Sequence, residues 1–152
     1  MYEVDDYDYR SFRLPSGQTV GDVIRRERAE LEQNSRKALE NAQPSEIGPI
    51  TGYSLLGDFV QRARPNGVMD FKNNFRGKED ATKLGKAGNF AYYAVGDGFL
   101  PRGLLDFGAA GYALWQLATG GKTPSDLTLP KLIDKRAYSV RDKALSLPDD
   151  PQ

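Results

Sequence analysis

At 152 residues the chain is long enough for one domain with its own core, and 39% hydrophobic and 28% charged residues fit an ordinary, somewhat polar globule. It contains no cysteine and no histidine, which excludes disulfide frameworks, thiolate or HExxH zinc sites, and every triad or nuclease mechanism built on an imidazole. Lys+Arg of 21 balances Asp+Glu of 21, so a uniformly basic nucleic-acid binder is excluded while a local basic patch is not.

The opening residues MYEVDDYDYR are acidic and aromatic and do not read as a signal peptide. Residues 1–18 are expected to form an arm, or a junction to a delivery region, lying across the domain; alternation in Tyr7-Asp8-Tyr9-Arg10 also allows a short strand. Thr19 is a helix N-cap with Asp22 at the spacing of a capping box. Val20, Ile24, Leu31 and Ala38/Leu39 trace a thin apolar stripe, and Asp22–Arg26 and Glu32–Arg36 are spaced for i,i+4 pairing. This predicts a helix of roughly five or six turns, solvated on most faces and ending before Pro44.

PSEIGPITGY is a loop, after which Ser54 caps a helix with Leu55, Leu56, Phe59, Val60 and Ala63 on one face. Pro65-Asn66-Gly67 closes it in a tight turn. From Met69 to Gly98 polar residues crowd into a glycine-punctuated stretch, and glycines 85 and 88 are expected to break the helical pattern there. Pro101 opens an apolar helix over about 102–118, which is read as the central buried element. Leu129, Leu132/Ile133, Ala137, Val140 and Ala144 mark a final amphipathic helix. The expected fold is mainly α: a single compact domain over 19–147, with four or five helices around the 102–118 helix, Gly-rich loops between the middle ones, and a tail at 148–152. No apolar run of about 18 residues is present, so no membrane insertion is expected.

FVQRARPNGVMDFKNNFRG, then KAGNFAYYAVG, then a glycine- and alanine-rich apolar helix, resembles the polymorphic toxin type 44 family. Asp70 and Lys72 match its aromatic–Asp–x–Lys element, although Met69 stands where tryptophan is usual. Gly88, Asn89, Phe90 and Tyr92 match its Gly-Asn-Phe-x-Tyr element, although Tyr93 stands where glycine is usual, and the family's C-terminal Asp-Asp-Pro element has no clear counterpart. The resemblance covers about residues 55 to 120. It implies the toxin domain of a larger secreted effector, injected into competing bacteria and neutralised by a cognate immunity protein.

From Arg62 to Lys86 seven basic residues (Arg62, Arg64, Lys72, Arg76, Lys78, Lys83, Lys86) stand against three acidic ones (Asp70, Glu79, Asp80), an excess that points to a phosphate-bearing substrate. RNA can be cut without histidine or metal: a carboxylate takes the 2′-hydroxyl proton while Arg and Lys offset charge on phosphorus. Asp70 is the candidate base, its competing roles being a helix cap or a buried partner for Lys72; Lys72 and Arg76 bind phosphate with Lys78, the competing role being a solvated face; and Glu79 or Asp80 is a second acid–base group. Asn89 orients the substrate and Tyr92 or Tyr93 stacks on a base, the competing roles being a turn residue and core packing. The expected enzyme is thus a cofactor-free hydrolase, first a ribonuclease acting in the target cytoplasm. The alternatives are a peptidoglycan glycosidase in the periplasm, using Glu79 with Asp70 or Asp80, and a non-enzymatic protein-binding module.

Overall fold

Helix α1 (Val20–Glu40) starts where Thr19 and Asp22 meet in a reciprocal cap. Thr19 Oγ1 accepts from the Asp22 N–H at 3.1 Å, and Asp22 Oδ2 accepts from the Thr19 N–H at 3.0 Å. A computed structural model of the protein describes residues 4–40, 57–64, 66–78, 80–106, 108–109 and 135–146. Val20, Val23, Ile24 and Leu31 of α1 are buried. Glu32 pairs with Arg36 at 2.6 Å as the spacing requires, but Asp22 binds Arg25 in place of the expected Arg26, which turns to Glu27 at 2.9 Å. Asp22 lies within a turn of both Arg25 and Arg26, and on an exposed helix face the choice between them is worth only tenths of a kcal/mol, ~0.3 to 0.5.

The N-terminal segment enters the core. Tyr9–Ser11 is a 3-10 turn and not a strand, capped by Asp8 through the Arg10 N–H at 3.0 Å. Tyr9 and Leu14 are buried, and the Tyr9 ring lies 5.9 Å from Phe90. Asp5 is the fastener. Its N–H donates to Ser139 O at 2.8 Å, and its Oδ2 accepts from the Tyr9 hydroxyl at 2.8 Å and from Lys86 Nζ at 3.1 Å. Burial pushes the Asp5 carboxyl up, but the Tyr7 N–H, the Tyr9 hydroxyl and Lys86 outweigh it and hold the group below the usual carboxylate range.

Helix α2 (Phe71–Asn74) is a single turn, and helix α3 (Ala81–Gly96) runs without interruption through glycines 85 and 88. The expected glycine break is therefore corrected. A helical glycine costs about 1 kcal/mol relative to alanine, and at 88 that cost is offset by close packing. A Cβ built on Gly88 stands 2.8 Å from Met69 O, so only glycine lets the chain entering α2 lie this close to α3. Gly96 does the same for Leu105 and Phe59. Leu84, Ala87, Phe90, Ala91, Tyr93, Ala94 and Val95 are buried, and α3 packs against α1, α2 and helix α4 (Lys135–Ser146).

Residues 57–63 are helical, with Phe59 in the core and Ala63 against it, but Val60 is 52% exposed, so it leaves the face assigned to it. The turn after them carries Asn66 at φ +62, a left-handed conformation that asparagine tolerates. Pro101 begins a helical stretch at 102–106, its carbonyl accepting from the Leu104 and Leu105 N–H groups. Most of the apolar helix expected at 102–118 lies outside the described residues, as do the 44–53 loop, the Ser54 cap, Leu55, Leu56, and Leu129 to Ile133. Val140 and Ala144 of α4 face the core as expected. The protein is mainly α, and no strand occurs among the described residues; the most deeply buried helix there is α3.

Gly88→Ala should destabilise the protein by about 1–3 kcal/mol, because overpacking against a backbone carbonyl exceeds the gain in helix propensity. Gly103→Ala, where a Cβ meets nothing within 4 Å, should be neutral or stabilising by up to about 1 kcal/mol. Urea titrations of both variants check the contrast. Acid titration checks Asp5. Its depressed carboxyl stabilises the fold above the unfolded carboxylate range, and that contribution is lost as pH falls through its lowered value. Asp5→Asn should therefore be less stable than the parent at neutral pH, with the difference shrinking below about pH 4.

Candidate functional site

Asp70 sits at the entry to α2, where its Oδ2 accepts from the Asn66 N–H at 2.8 Å and from Asn73 Nδ2 at 2.6 Å. These two bonds draw the 66–70 turn onto the first turn of α2. Among the described residues Oδ1 accepts no hydrogen bond, so the carboxylate is oriented by one oxygen while the other stays available. Lys72 is exposed and makes no ion pair with a described residue. The Arg76 guanidinium donates to Asn73 Oδ1 at 2.7 Å. Lys72, Asn73, Arg76, Gly77, Ala81 and Leu84 line a hollow of about 110 Å³. That is well below the ~300 Å³ at which pockets begin to enclose a small molecule. It suits a surface contact to a single anionic group.

The other expected residues divide. Lys78 is exposed one position beyond Gly77, whose φ of +79 turns the chain. Glu79 lies outside the described residues. Asp80 is the N-cap of α3, its Oδ1 accepting from the Thr82 and Lys83 N–H groups at 2.8 and 3.4 Å, so its carboxylate has structural work. Asn89 lies inside α3 and is not a turn residue. Tyr92 and Tyr93 pack inward: Tyr92 donates to Leu105 O at 2.6 Å and its ring lies 5.3 Å from Phe59, while Tyr93 is fully buried. The segment entering α2 abuts Gly88, so the Asp70–Lys72 and Gly88–Asn89 segments adjoin, but neither tyrosine hydroxyl turns toward that junction.

Three arginine-centred clusters, two of them ionic, were not legible in the sequence. Arg62 binds Glu27 at 2.5 Å, Glu30 at 2.6 Å and Asp58 at 3.1 Å, with Glu27 only 3% exposed. Arg141 grips Asp106 with two nitrogens at 2.7 and 3.0 Å, and the Tyr93 hydroxyl donates to the same carboxylate at 2.9 Å. Burial and then Asp106 push the Tyr93 hydroxyl far above its ordinary range, so it stays protonated as a donor. Arg28 Nη1 reaches Ala94 O, Val95 O and Asp97 O at 2.9, 3.2 and 2.6 Å, neutralising the carbonyl end of α3. Only spacings of one helical turn, such as Asp58–Arg62, had a local signal.

The basic excess of the 62–86 stretch is therefore smaller at the surface than in the sequence, because Arg62 and Lys86 are consumed internally. Arg64, Lys72, Arg76, Lys78 and Lys83 remain exposed. No group of three or more Asp or Glu among the described residues converges as a metal site, and no described helix is long and apolar enough to cross a membrane. No family model matches the chain, and no curated protein or solved structure is significantly similar to it.

Arg62→Ala should cost about 1–3 kcal/mol, because it takes one of two guanidinium partners from the buried Glu27, which keeps Arg26, while leaving any affinity for polyanions unchanged in the folded protein. Thermal melting and a filter-binding assay on the same preparation separate the two effects.

Proposed function

We propose that this protein binds RNA through the exposed Lys72–Arg76 face and cleaves it with Asp70 as general base, acting as the toxin domain of a secreted antibacterial effector. The observation that carries the reading is the placement of Asp70. It is held by one oxygen, has the other available, and stands two residues before a lysine that shares a hollow with Arg76. In the reaction, Asp70 Oδ1 takes the 2′-hydroxyl proton and the 2′-oxygen attacks the adjacent phosphorus. The bond to the 5′-oxygen then breaks, and that oxygen takes a proton from water or from Glu79. Lys72 and Arg76 offset the charge that builds on the non-bridging oxygens.

Delivery within a larger secreted protein, action in the cytoplasm of the target cell and a cognate immunity protein belong to the same reading. The peptidoglycan alternative is weakened, because the tyrosines meant as its sugar platform are tied to Leu105 and Asp106.

The test is expression in the bacterial cytoplasm together with incubation of purified protein and total RNA. Growth arrest and RNA degradation are expected, with kcat falling by about 10²–10⁴ in Asp70→Asn. Lys72→Ala/Arg76→Ala should weaken RNA binding and flatten its salt dependence by about 0.7 log units per log unit of salt for each cation removed. Intact RNA together with harmless cytoplasmic expression overturns the proposal, and lysis seen only on periplasmic targeting transfers it to the glycosidase.

A further inference from the structure

Asp70 and Asp80 occupy the same position, one residue before a helix, and use it differently. Asp80 spends its carboxylate as an N-cap on the Thr82 and Lys83 N–H groups at the start of α3. Asp70 makes no side-chain cap to α2. Its Oδ2 turns instead to the Asn66 N–H and to the side chain of Asn73, at 2.8 and 2.6 Å. The turn that delivers it is tight, because a Cβ on Gly67 would stand 2.7 Å from Arg62 O, and Asn74 Nδ2 fastens it by donating to Gly67 O at 2.9 Å. The two neighbouring asparagines thus do separate work. Asn74 holds backbone, while the Asn73 amide holds two charged side chains.

Asp70, Asn73 and Arg76 follow one another at intervals of three residues, which lines them up along one face of the α2 turn. The Asn73 amide bridges the other two: Nδ2 donates to Asp70, and Oδ1 accepts from Arg76 Nη2 at 2.7 Å. Its orientation has a single solution. An ionised carboxylate can only accept and a guanidinium can only donate, so a flipped amide would set oxygen against oxygen at Asp70 and N–H against N–H at Arg76. Asp70 Oδ1 and the other Arg76 nitrogens bond to no described residue. The bridge therefore fixes both groups and leaves each able to make a further contact, beside the hollow that Asn73 lines with Lys72 and Arg76.

We propose that Asn73 is a positioning residue that locks the Asp70 carboxylate and the Arg76 guanidinium into one unit. The oxygen that takes the 2′-hydroxyl proton and the cation that meets the phosphate then stand at a fixed separation. The role rests on the ribonuclease reading for its reaction and on the amide bridge for its geometry. Without the bridge both side chains regain rotamers, and a misplacement of about 1 Å is enough to cost on the order of 10²-fold in rate.

The test compares Asn73→Ala, Asn73→Asp and Asn74→Ala in the full chain by cleavage of a uridine octanucleotide, and follows the Asn73 side-chain amide by NMR. Asn73→Ala should lower kcat by about 10- to 100-fold through Asp70 and raise KM by about three- to tenfold through Arg76. Asn73→Asp keeps the size of the side chain and an acceptor for Arg76 but turns an oxygen to Asp70, so kcat should fall at least as far. Asn74→Ala removes a hydrogen bond from the same turn and should keep the parental kcat. Equal losses of kcat in Asn73→Ala and Asn74→Ala, or parental kcat in Asn73→Asp, overturn the proposal and leave the ribonuclease reading standing. The NMR readout needs no cleavage: the Asn73 Nδ2 protons should shift both in Asp70→Asn and in Arg76→Ala, and resonances indifferent to both overturn the bridge. A chain that leaves RNA intact loses the ribonuclease reading; resonances that respond in it retain the Asp70–Asn73–Arg76 unit as the holder of an anion contact alone.

Discussion

One helix must touch three others. Helix α3 packs against α1, α2 and α4, and this is possible because its surface is thin where neighbours press closest. Ala87, Ala91 and Ala94 are buried together with Gly96, and Gly88 lets a backbone carbonyl approach within a distance no side chain allows. Between these small residues, Leu84, Phe90, Tyr93 and Val95 supply apolar bulk, each worth about 1.5–3 kcal/mol for an aliphatic or aromatic side chain fully buried. That gain exceeds the propensity cost of two internal glycines, about 2 kcal/mol together. Packing decides the conformation here.

The two ends of α3 are held by different chemistry, and its start adjoins the candidate site. Asp80 satisfies two N–H groups at its start, next to the hollow lined by Lys72 and Arg76. At its finish Arg28 satisfies the carbonyls of Ala94 and Val95, a cation placed at the negative end of the helix dipole. The same guanidinium lies 4.8 Å from the Phe99 ring centre. Tyr93, Asp106 and Arg141 tie the last turn of α3 to the 102–106 stretch and to α4. Both ends of the helix thus lie beside cations, those at its start exposed and the one at its finish bonded to the helix's own carbonyls.

Charge counting along the chain overstated the basic patch for a specific reason. Arg62 and Lys86 are neighbours of Lys72 and Arg76 in sequence, but their partners are Glu27, Glu30 and Asp5. The Lys86–Asp5 pair spans 81 positions, and no local pattern announces such a contact. Exposure then separates the cations that can meet a partner from those that hold the fold together. Tyr92 and Tyr93 divided the same way: aromatic rings beside a polar stretch are consistent with stacking on a ligand, yet their hydroxyls end on Leu105 O and Asp106.

The sequence by itself determined the features that act over one or two helical turns. It settled the Thr19–Asp22 cap, the Glu32–Arg36 pair, the apolar stripe of α1, the start at Pro101 and the mainly helical class, because caps, spacings and periodicity are local properties of the chain. Its lack of histidine and cysteine bounds the chemistry to carboxylate, lysine, arginine and tyrosine groups. The tertiary structure alone decided that glycines 85 and 88 stay helical and that Tyr9 and Leu14 belong to the core. Each of those outcomes depends on a surface brought from elsewhere in the chain, and burial against that surface outweighs what the local residues prefer on their own.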